Sequence, residues 1–555
     1  MEKSKISGKI SIEIIYIAIV FSFLLFLGLG NLWNHQIKHE FPYAYFASDA
    51  FQHQTRAEGI KEEGNYKNEP FYNVFGVKDV VGYYPPVLYH LAVILSHLSG
   101  LEVYDTIYFL PFFFAALSAI IIYFVIRKLS IGSAILAMPL AVLLFYKGAY
   151  TGFTWGVWPS LISQFFLVAF FWSIANIDIE KSSFLFAILL SAVIMSHTSE
   201  AFFAGFMLTA YFTFRMIKKT ATKDLIKKIL IGALLTLIIS SFYLVIFRGI
   251  WMERQPYSYS VIKEWGSPTL FIADFKILIL FFAVGLIACF LLIKNENIFP
   301  IIMSILMLLF SYTNYVGFGD RAFQLRYFWG VYLSVLFGFG IYHLAKTAYR
   351  KWSSAHSIIL AVVIFIVISF AGIEYFPSYE KISSPGIMNR NNWDTLQWIS
   401  KNTEQDAVIY FFYGDAYNQD AILRNSKRTH KLIVPQDYAD AINKKEIRRY
   451  FETESPGDGG GGAAIRKGLL SFEFKLDEME KNKEFEGKKD ICSFDYYVFD
   501  KGTAQTAFAQ YNIIMAKELL KKDFVKLVYG NDNTLSIILK NTKPGEDCIE
   551  EGTIA

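Results

Sequence analysis

Apolar and polar positions along this chain fall into long blocks, on a scale that suits membrane-crossing helices. Mostly apolar runs lie at about 12–30, 105–126, 131–146, 156–175, 183–197, 199–217, 226–247, 272–293, 297–313, 327–346 and 356–376. A helix needs about 20 such residues to span a bilayer, so each run is a candidate. A shorter piece at 86–99 opens on Pro85-Pro86 and either crosses or lies at the interface. Beyond about residue 377 charged residues rise and apolar runs shorten. There, 393–401 and 437–452 read as helices, and 407–413, 496–499, 524–529 and 535–539 as strands. Gly530-Asn531-Asp532-Asn533 is a hairpin signal between the last two strands. The expected fold class is a polytopic α-helical membrane protein of about 11–13 transmembrane helices with a C-terminal extracytoplasmic α/β domain. Residues 1–376 form the membrane domain, with a first outer loop at 31–85, and 377–555 form the soluble domain.

Charge gives the expected orientation. If 86–99 does not cross and Lys3, Lys5 and Lys9 are cytoplasmic, then three further basic clusters also fall inside. They are Arg127-Lys128, the group Arg215, Lys218, Lys219, Lys223, Lys227 and Lys228, and the group Lys346, Arg350 and Lys351. That matches the positive-inside rule and leaves the C-terminal domain outside. The same arrangement places Asp49 to His90, His197 to Glu200, 248–271 and Asp320 to Arg326 on one outer face.

Composition supports a membrane protein: 54% of the 555 residues are hydrophobic and only 18% are charged. A net charge of +4 gives no reason to expect nucleic acid as a partner. The basic start and the long apolar run after it read as an uncleaved anchor. Cys492 and Cys548 share the polar tail and could pair if it lies outside the cell. The glycine tract 457–462 reads as a loop, because it lacks the Lys-Ser/Thr ending of a phosphate-binding loop.

Candidate chemistry sits in the outer segments. Asp49 follows an aromatic stretch, Phe41 to Phe46, and precedes a segment at 50–63 that can form a helix carrying His53 and Arg56. The loop returns through Tyr83-Tyr84-Pro85-Pro86, which is conformationally stiff. A carboxylate held in a dehydrated pocket there would suit a general base. Arg321 and Arg326, at the mouth of a late span, suit a phosphate, which a guanidinium binds with two hydrogen bonds. His197 and Glu200, three residues apart in a short hairpin, could contact a ligand hydroxyl, a pyrophosphate or a metal. Alternatively, Ser199 caps the next helix and Glu200 answers its dipole. Trp155 lies in an aromatic, Gly-rich stretch that fits either sugar stacking or an interfacial belt.

Together these features resemble the GT-C superfamily of membrane glycosyltransferases, which take sugars from polyprenyl-phosphate carriers. The resembling features are Ser48-Asp49 with Arg56 after the first span, Gly64, Tyr84-Pro85-Pro86-Val87-Leu88-Tyr89, Asp320-Arg321, and Trp393 to Ile399 opening the tail. The resemblance implies a sugar donor on a polyprenyl (dolichyl-type) phosphate, a glycan, lipid or protein acceptor, and membrane lipids as surroundings. It implies that Asp49 is the base or a metal-site residue, and that Arg321 or Arg326 contacts the carrier phosphate. His53, Arg56, Tyr84, His197, Glu200 and Trp155 are further candidates for substrate contacts. A divalent metal, Mg or Mn, is compatible with it. The tail lacks the Trp-Trp-Asp-Tyr-Gly of oligosaccharyltransferases; Tyr413-Gly414-Asp415 is the nearest sequence. The rival readings are a transporter or flippase of lipid-linked saccharides and an inactive scaffold for surface polysaccharide assembly.

Overall fold

The computed structural model describes residues 2–33, 36–66, 69–74, 84–145, 147–178, 182–253, 278–291, 298–316, 322–371, 385–433 and 487–549 without 531–533, with short pieces between 438 and 474 and at 552–553. The chain forms two compact units. The first comprises Met1–Ile37, Pro85–Leu91 and Thr106–Ser383, the second Lys38–Tyr84, Ala92–Asp105 and Ser384–Ala555. The segment expected to be the first outer loop therefore shares a unit with the C-terminal tail.

The apolar runs are helices. In chain order they are α1 (Glu2–Trp33), α2 (Ser48–Glu63), α3 (Val87–Ser99), α4 (Val103–Arg127), α5 (Ile131–Ala137), α6 (Lys147–Thr154), α7 (Trp158–Ala175), α8 (Ser182–Ile194), α9 (Thr198–Ile217), α10 (Lys223–Glu253), α11 (Leu278–Leu291), α12 (Phe299–Phe310), α13 (Trp329–Ala348) and α14 (Ser354–Ala371). Of these, α2 belongs to the second unit, and α3 and α4 each run from one unit into the other. Among the described residues, five helical stretches are long and apolar enough to cross a membrane, and five shorter apolar helices accompany them. α3 has 13 residues. At about 1.5 Å per residue it reaches roughly 20 Å, short of a bilayer's ~30 Å hydrocarbon core.

Within the first unit, α10 exposes Leu230, Leu234, Leu237 and Ile238. Such a continuous apolar face is stable against lipid and costly against water. Packing elsewhere is close. A Cβ on Gly338 of α13 would lie 2.6 Å from the Ala137 methyl and from the Ser133 carbonyl oxygen. Only glycine allows α13 and α5 to approach so nearly. The polar ends of the helices sort into two groups. At one end Arg127 pairs with Glu13 at 3.0 Å, Lys128 donates to the Ala175 carbonyl at 2.8 Å, and Arg215 and Lys228 both reach Asp178. Basic clusters distant in sequence therefore meet at one end of the unit. At the other end the Val87 amide donates to the Met195 carbonyl at 3.1 Å, joining the Tyr-Pro-Pro return to the α8–α9 hairpin.

The second unit adds α15 (Arg390–Asn402), α16 (Asp420–Leu423) and α17 (Thr506–Leu519). Its main strands are β1 (Val408–Phe411), β2 (Thr429–Ile433), β3 (Tyr450–Glu454), β4 (Gly487–Asp490), β5 (Tyr496–Asp500), β6 (Val525–Tyr529) and β7 (Ser536–Asn541). They form one mixed sheet ordered β4-β3-β2-β1-β5-β7-β6. β1 runs parallel to both neighbours, with Val408 opposite Thr429 and Ile409 opposite Tyr496. Its nearly continuous apolar sequence is what a strand covered on both faces requires. The expected β6–β7 hairpin is present. The helix expected at 437–452 does not hold over its C-terminal part, where β3 and the short strand Glu446–Ile447 lie; of its earlier residues, those described, Tyr438 and Ala439, are helical. β3 is paired on both sides, by β2 and β4, and those pairings outweigh local helix preference. The core stacks Phe412 on Phe499 at 4.2 Å and includes Tyr438, Tyr511 and Met515. Cys492 and Cys548 form a buried disulfide with 5.3 Å between their Cα atoms. The glycine tract and 248–271 lie outside the described residues, except that α10 runs on to Glu253.

The first loop is bound into this unit by backbone and side chain. The Ala44 amide donates to the Pro385 carbonyl at 2.7 Å, and the Ile387 amide donates to the Tyr45 carbonyl at 2.9 Å. The Tyr45 hydroxyl donates to the Tyr104 carbonyl, and Tyr104 stands edge-on to Trp393.

Candidate functional site

In the second unit the candidate residues gather around α2. Ala47 is extended at the N-cap, so the helix begins at Ser48 and places Asp49 in the first turn, where a carboxylate answers the dipole. Gly64, at φ 68°, ends it in a left-handed turn whose amide returns to the Ile60 carbonyl at 3.0 Å. Asp49, His53 and Arg56 follow at i, i+4 and i+7, hence on one face.

Their environments differ sharply. The enclosed carboxylate expected at Asp49 is not found: Asp49 is exposed at the helix start, while His53 and Arg56, one and two turns on, are buried. Burial begins at Ala50, where the helix meets the body of the unit. Tyr84 is the hub: the His53 ring stands edge-on to it at 5.1 Å, and the Arg56 guanidinium lies over it at 5.0 Å. The Tyr66 hydroxyl donates to the Tyr84 carbonyl. Arg56 Nε also pairs with Glu69 Oε1 at 3.1 Å, and Asn73 donates to the other oxygen of Glu69 at 3.3 Å. The structure thus brings His53, Arg56 and Tyr84 together.

On the other flank α2 is braced from the tail. Gln54 Nε2 donates to Asn425 Oδ1 at 2.7 Å and to Glu58 Oε1 at 2.8 Å, and Lys427 pairs with Glu62. Burial pushes the Glu58 carboxyl up, opposed by Lys427 and Gln54. Behind Asn425, Asp420 accepts from Arg424 Nε at 2.9 Å and lies 2.8 Å from His430 Nε2. Burial raises the Asp420 pKa, but Arg424 and His430 outweigh it and hold the carboxyl at about 2.

In the first unit a polar network is buried among aromatic helices. His197 is the extended N-cap of α9, and the helix starts at Thr198. Ser199 therefore does not cap it, contrary to one of the sequence readings. Glu200 is fully buried in the first turn. Its Oε2 lies 2.5 Å from His197 Nδ1, and its Oε1 accepts from Ser160 Oγ at 2.6 Å and from Gln164 Nε2 at 3.4 Å. Gln164 Nε2 also reaches the Gln324 carbonyl at 2.7 Å, which ties the network to the 3₁₀ segment Ala322–Phe328. Arg326 in that segment is 0% exposed. Its Nε donates to the Ser311 carbonyl at 3.1 Å, and its guanidinium lies 4.4 Å from the Tyr312 ring centre and 5.3 Å from that of Tyr315. Trp155 is 38% exposed beside Gly156, in the turn between α6 and α7. Arg321 and Asp320 lie outside the described residues.

Ser160, Gln164, Glu69 and Tyr312 take part in these networks and were not singled out from sequence. Ser160 and Gln164 did carry a signal: two polar residues one helical turn apart inside an apolar run. Glu69 carried none, since its partner is fixed by the fold of the loop. Among the described residues, no three His, Cys, Asp or Glu side chains are grouped to hold a metal ion.

Neither protein-family models nor curated proteins give a match to this chain. Solved structures do. The apo oligosaccharyltransferase of Archaeoglobus fulgidus is similar at a TM-score of 0.55 and 12% identity, over 88% of this chain and 69% of that one. The same protein, AglB, with an inhibitory peptide and a dolichol-phosphate gives 0.54 at 12%, with the same coverage. ArnT from Cupriavidus metallidurans bound to undecaprenyl phosphate gives 0.52 at 10% identity, over 98% of this chain and 99% of that one. A further structure of the archaeal enzyme, with a TM-score of 0.51, is a complex with Zn and sulfate. The chain shares the fold of these neighbours, a polytopic helical unit with a C-terminal domain. The resemblance read from the sequence holds at the level of the fold.

Proposed function

We propose that this protein transfers a sugar from a polyprenyl-phosphate carrier to an acceptor hydroxyl at the extracytoplasmic membrane face. The observation that carries the reading is the similarity to ArnT over nearly the whole of both chains, in a structure of that protein with undecaprenyl phosphate bound. In this reading the N-terminus and the basic end of the first unit are cytosolic. Asp49, exposed at the start of a helix whose middle is buried, accepts the acceptor's proton. The acceptor oxygen attacks the anomeric carbon, and the bond from that carbon to the phosphate oxygen breaks, with its electron pair leaving on the carrier phosphate. A guanidinium offsets the charge gathering there. Arg326 is enclosed by Tyr312, Tyr315 and Ser311, which suits it to anchoring its segment. The direct phosphate contact is therefore assigned to Arg321.

Purified protein in proteoliposomes, supplied with polyprenyl-phosphate hexoses and pentoses radiolabelled in the sugar and with a cell-envelope extract as the source of acceptor, should release polyprenyl phosphate and move label onto the acceptor. Asp49→Asn should slow that release by roughly 10²- to 10⁴-fold, the usual worth of a positioned base. Release at the wild-type rate would end the assignment of Asp49. If the wild type carried the labelled lipid across the bilayer without cleaving it, the transporter reading would replace this one.

A further inference from the structure

Away from these networks, at the basic end of the first unit, lies a cavity of about 440 Å³. Its volume is within the range of small-ligand sites. The turn from α4 to α5, the start of α12, the last turns of α13 and the start of α14 enclose it. Its lining is sharply divided. Ile298, Ile301 and Phe339 are apolar and buried, while His343, Lys346 and Ser354 are polar.

Local packing fixes the polar side. Tyr342 lies against Gly132 so closely that a Cβ there would be 2.3 Å from its ring. Lys346 Nζ sits over that ring at 5.8 Å, and the His343 ring lies 4.3 Å from Phe339. Among the described residues Lys346 has no carboxylate within ion-pair distance. Arg127 and Lys128, just before the cavity in sequence, are already engaged by Glu13 and the Ala175 carbonyl. Ile131, which lines the cavity, is 36% exposed, and Leu344 and Ile359, on helices that contribute to the lining, are also exposed. The lining thus combines an apolar floor with a cationic residue, Lys346.

We propose that this cavity binds an anionic phospholipid, with its phosphate at Lys346 and His343 and its glycerol and first acyl carbons over Ile301 and Phe339. Charge and place both favour a lipid. The cavity lies at the membrane end where lysines and arginines collect, and basic pockets between spanning helices hold anionic headgroups. The site is independent of the sugar-transfer reading, since no residue is shared.

The test is native mass spectrometry of the full-length protein, delipidated and titrated with phosphatidylglycerol, phosphatidylcholine or inorganic phosphate. Phosphatidylglycerol should bind with defined stoichiometry and phosphatidylcholine should not. Lys346→Gln should weaken binding about fivefold, the worth of one lysine at an anionic surface. Lys346→Arg should restore it, which shows that the fold is intact. Lys227→Gln, an exposed lysine of the separate 215–228 basic group, should change binding by less than twofold. Equal losses in Lys346→Gln and Lys227→Gln would mean diffuse attraction and overturn the site. If millimolar phosphate displaced the lipid completely, the site would be one for free anions, and the lipid assignment would fall.

Discussion

Cutting the ion pair between Arg56 and Glu69 separates two roles for Arg56, a tie within the first loop or a contact for substrate. The pair is 3.1 Å long, with side chains 5% and 7% exposed. At an effective dielectric of ~20 the gross attraction is about 5 kcal/mol. Much of that offsets the loss of water around both groups, so the pair contributes far less than its Coulomb energy. Removing one partner is another matter, because the other charge then stays buried without it, at a cost of about 3–5 kcal/mol. Arg56→Met also forfeits its stacking over Tyr84, worth roughly 0.5–2 kcal/mol. For domains of roughly 150–250 residues, 1 kcal/mol moves the midpoint by about 2–4 °C. Glu69→Leu should therefore lower the unfolding midpoint in detergent by roughly 6–20 °C, and Arg56→Met by roughly 7–28 °C. The double variant should recover part of that loss, because neither charge is left stranded. Near-UV circular dichroism follows the aromatic core directly. Losses that simply add in the double variant would refute the coupling. Wild-type midpoints in both single variants, together with lost sugar transfer, would make Arg56 a ligand contact instead.

Acid should weaken the brace behind α2. The folded pKa of Asp420, at about 2, lies below the unfolded value, so its stabilisation is present above about pH 4 and lost as pH falls toward 2. Holding the carboxyl that far below its ordinary value is worth roughly 2–3 kcal/mol. The gap in midpoint between the wild type and Asp420→Asn should be widest near pH 5 and close toward pH 2.5; a pH-independent gap would count against the assignment. Cys492 and Cys548 are 56 residues apart, and opening a loop of that length should cost about 4 kcal/mol in chain entropy. Replacing both by serine should lower the midpoint accordingly, and an unchanged midpoint would show that the bond contributes nothing.

Much of the membrane unit was legible because its signals are local. A run such as 226–247 can hardly be anything but a lipid-facing helix, and α10 covers it. The helix expected at 50–63 was legible for the same reason, with turn residues ahead of it and Gly64 behind. Pairing was harder to see. Gln54 meets Asn425 across 371 residues, and no periodicity in either stretch announces it. The failure of the helix expected at 437–452 over its C-terminal part has the same origin, since β3 is set by β2 and β4 and not by its own pattern. At α9 the error was one of geometry. Ser199 is a good capping residue by type, yet the extended backbone that a cap requires falls at His197.

A fold assembled from three separated stretches has a practical consequence for anyone cutting the gene. A fragment starting at Ser384 would carry the sheet and the disulfide, but its Pro385 carbonyl, Asn425 amide and Lys427 ammonium would all lose the groups that now answer them. Such a truncated product would present a raw, sticky flank. Grafting 38–105 back, by fusion or as a separate peptide, is the rational way to obtain this unit in soluble form.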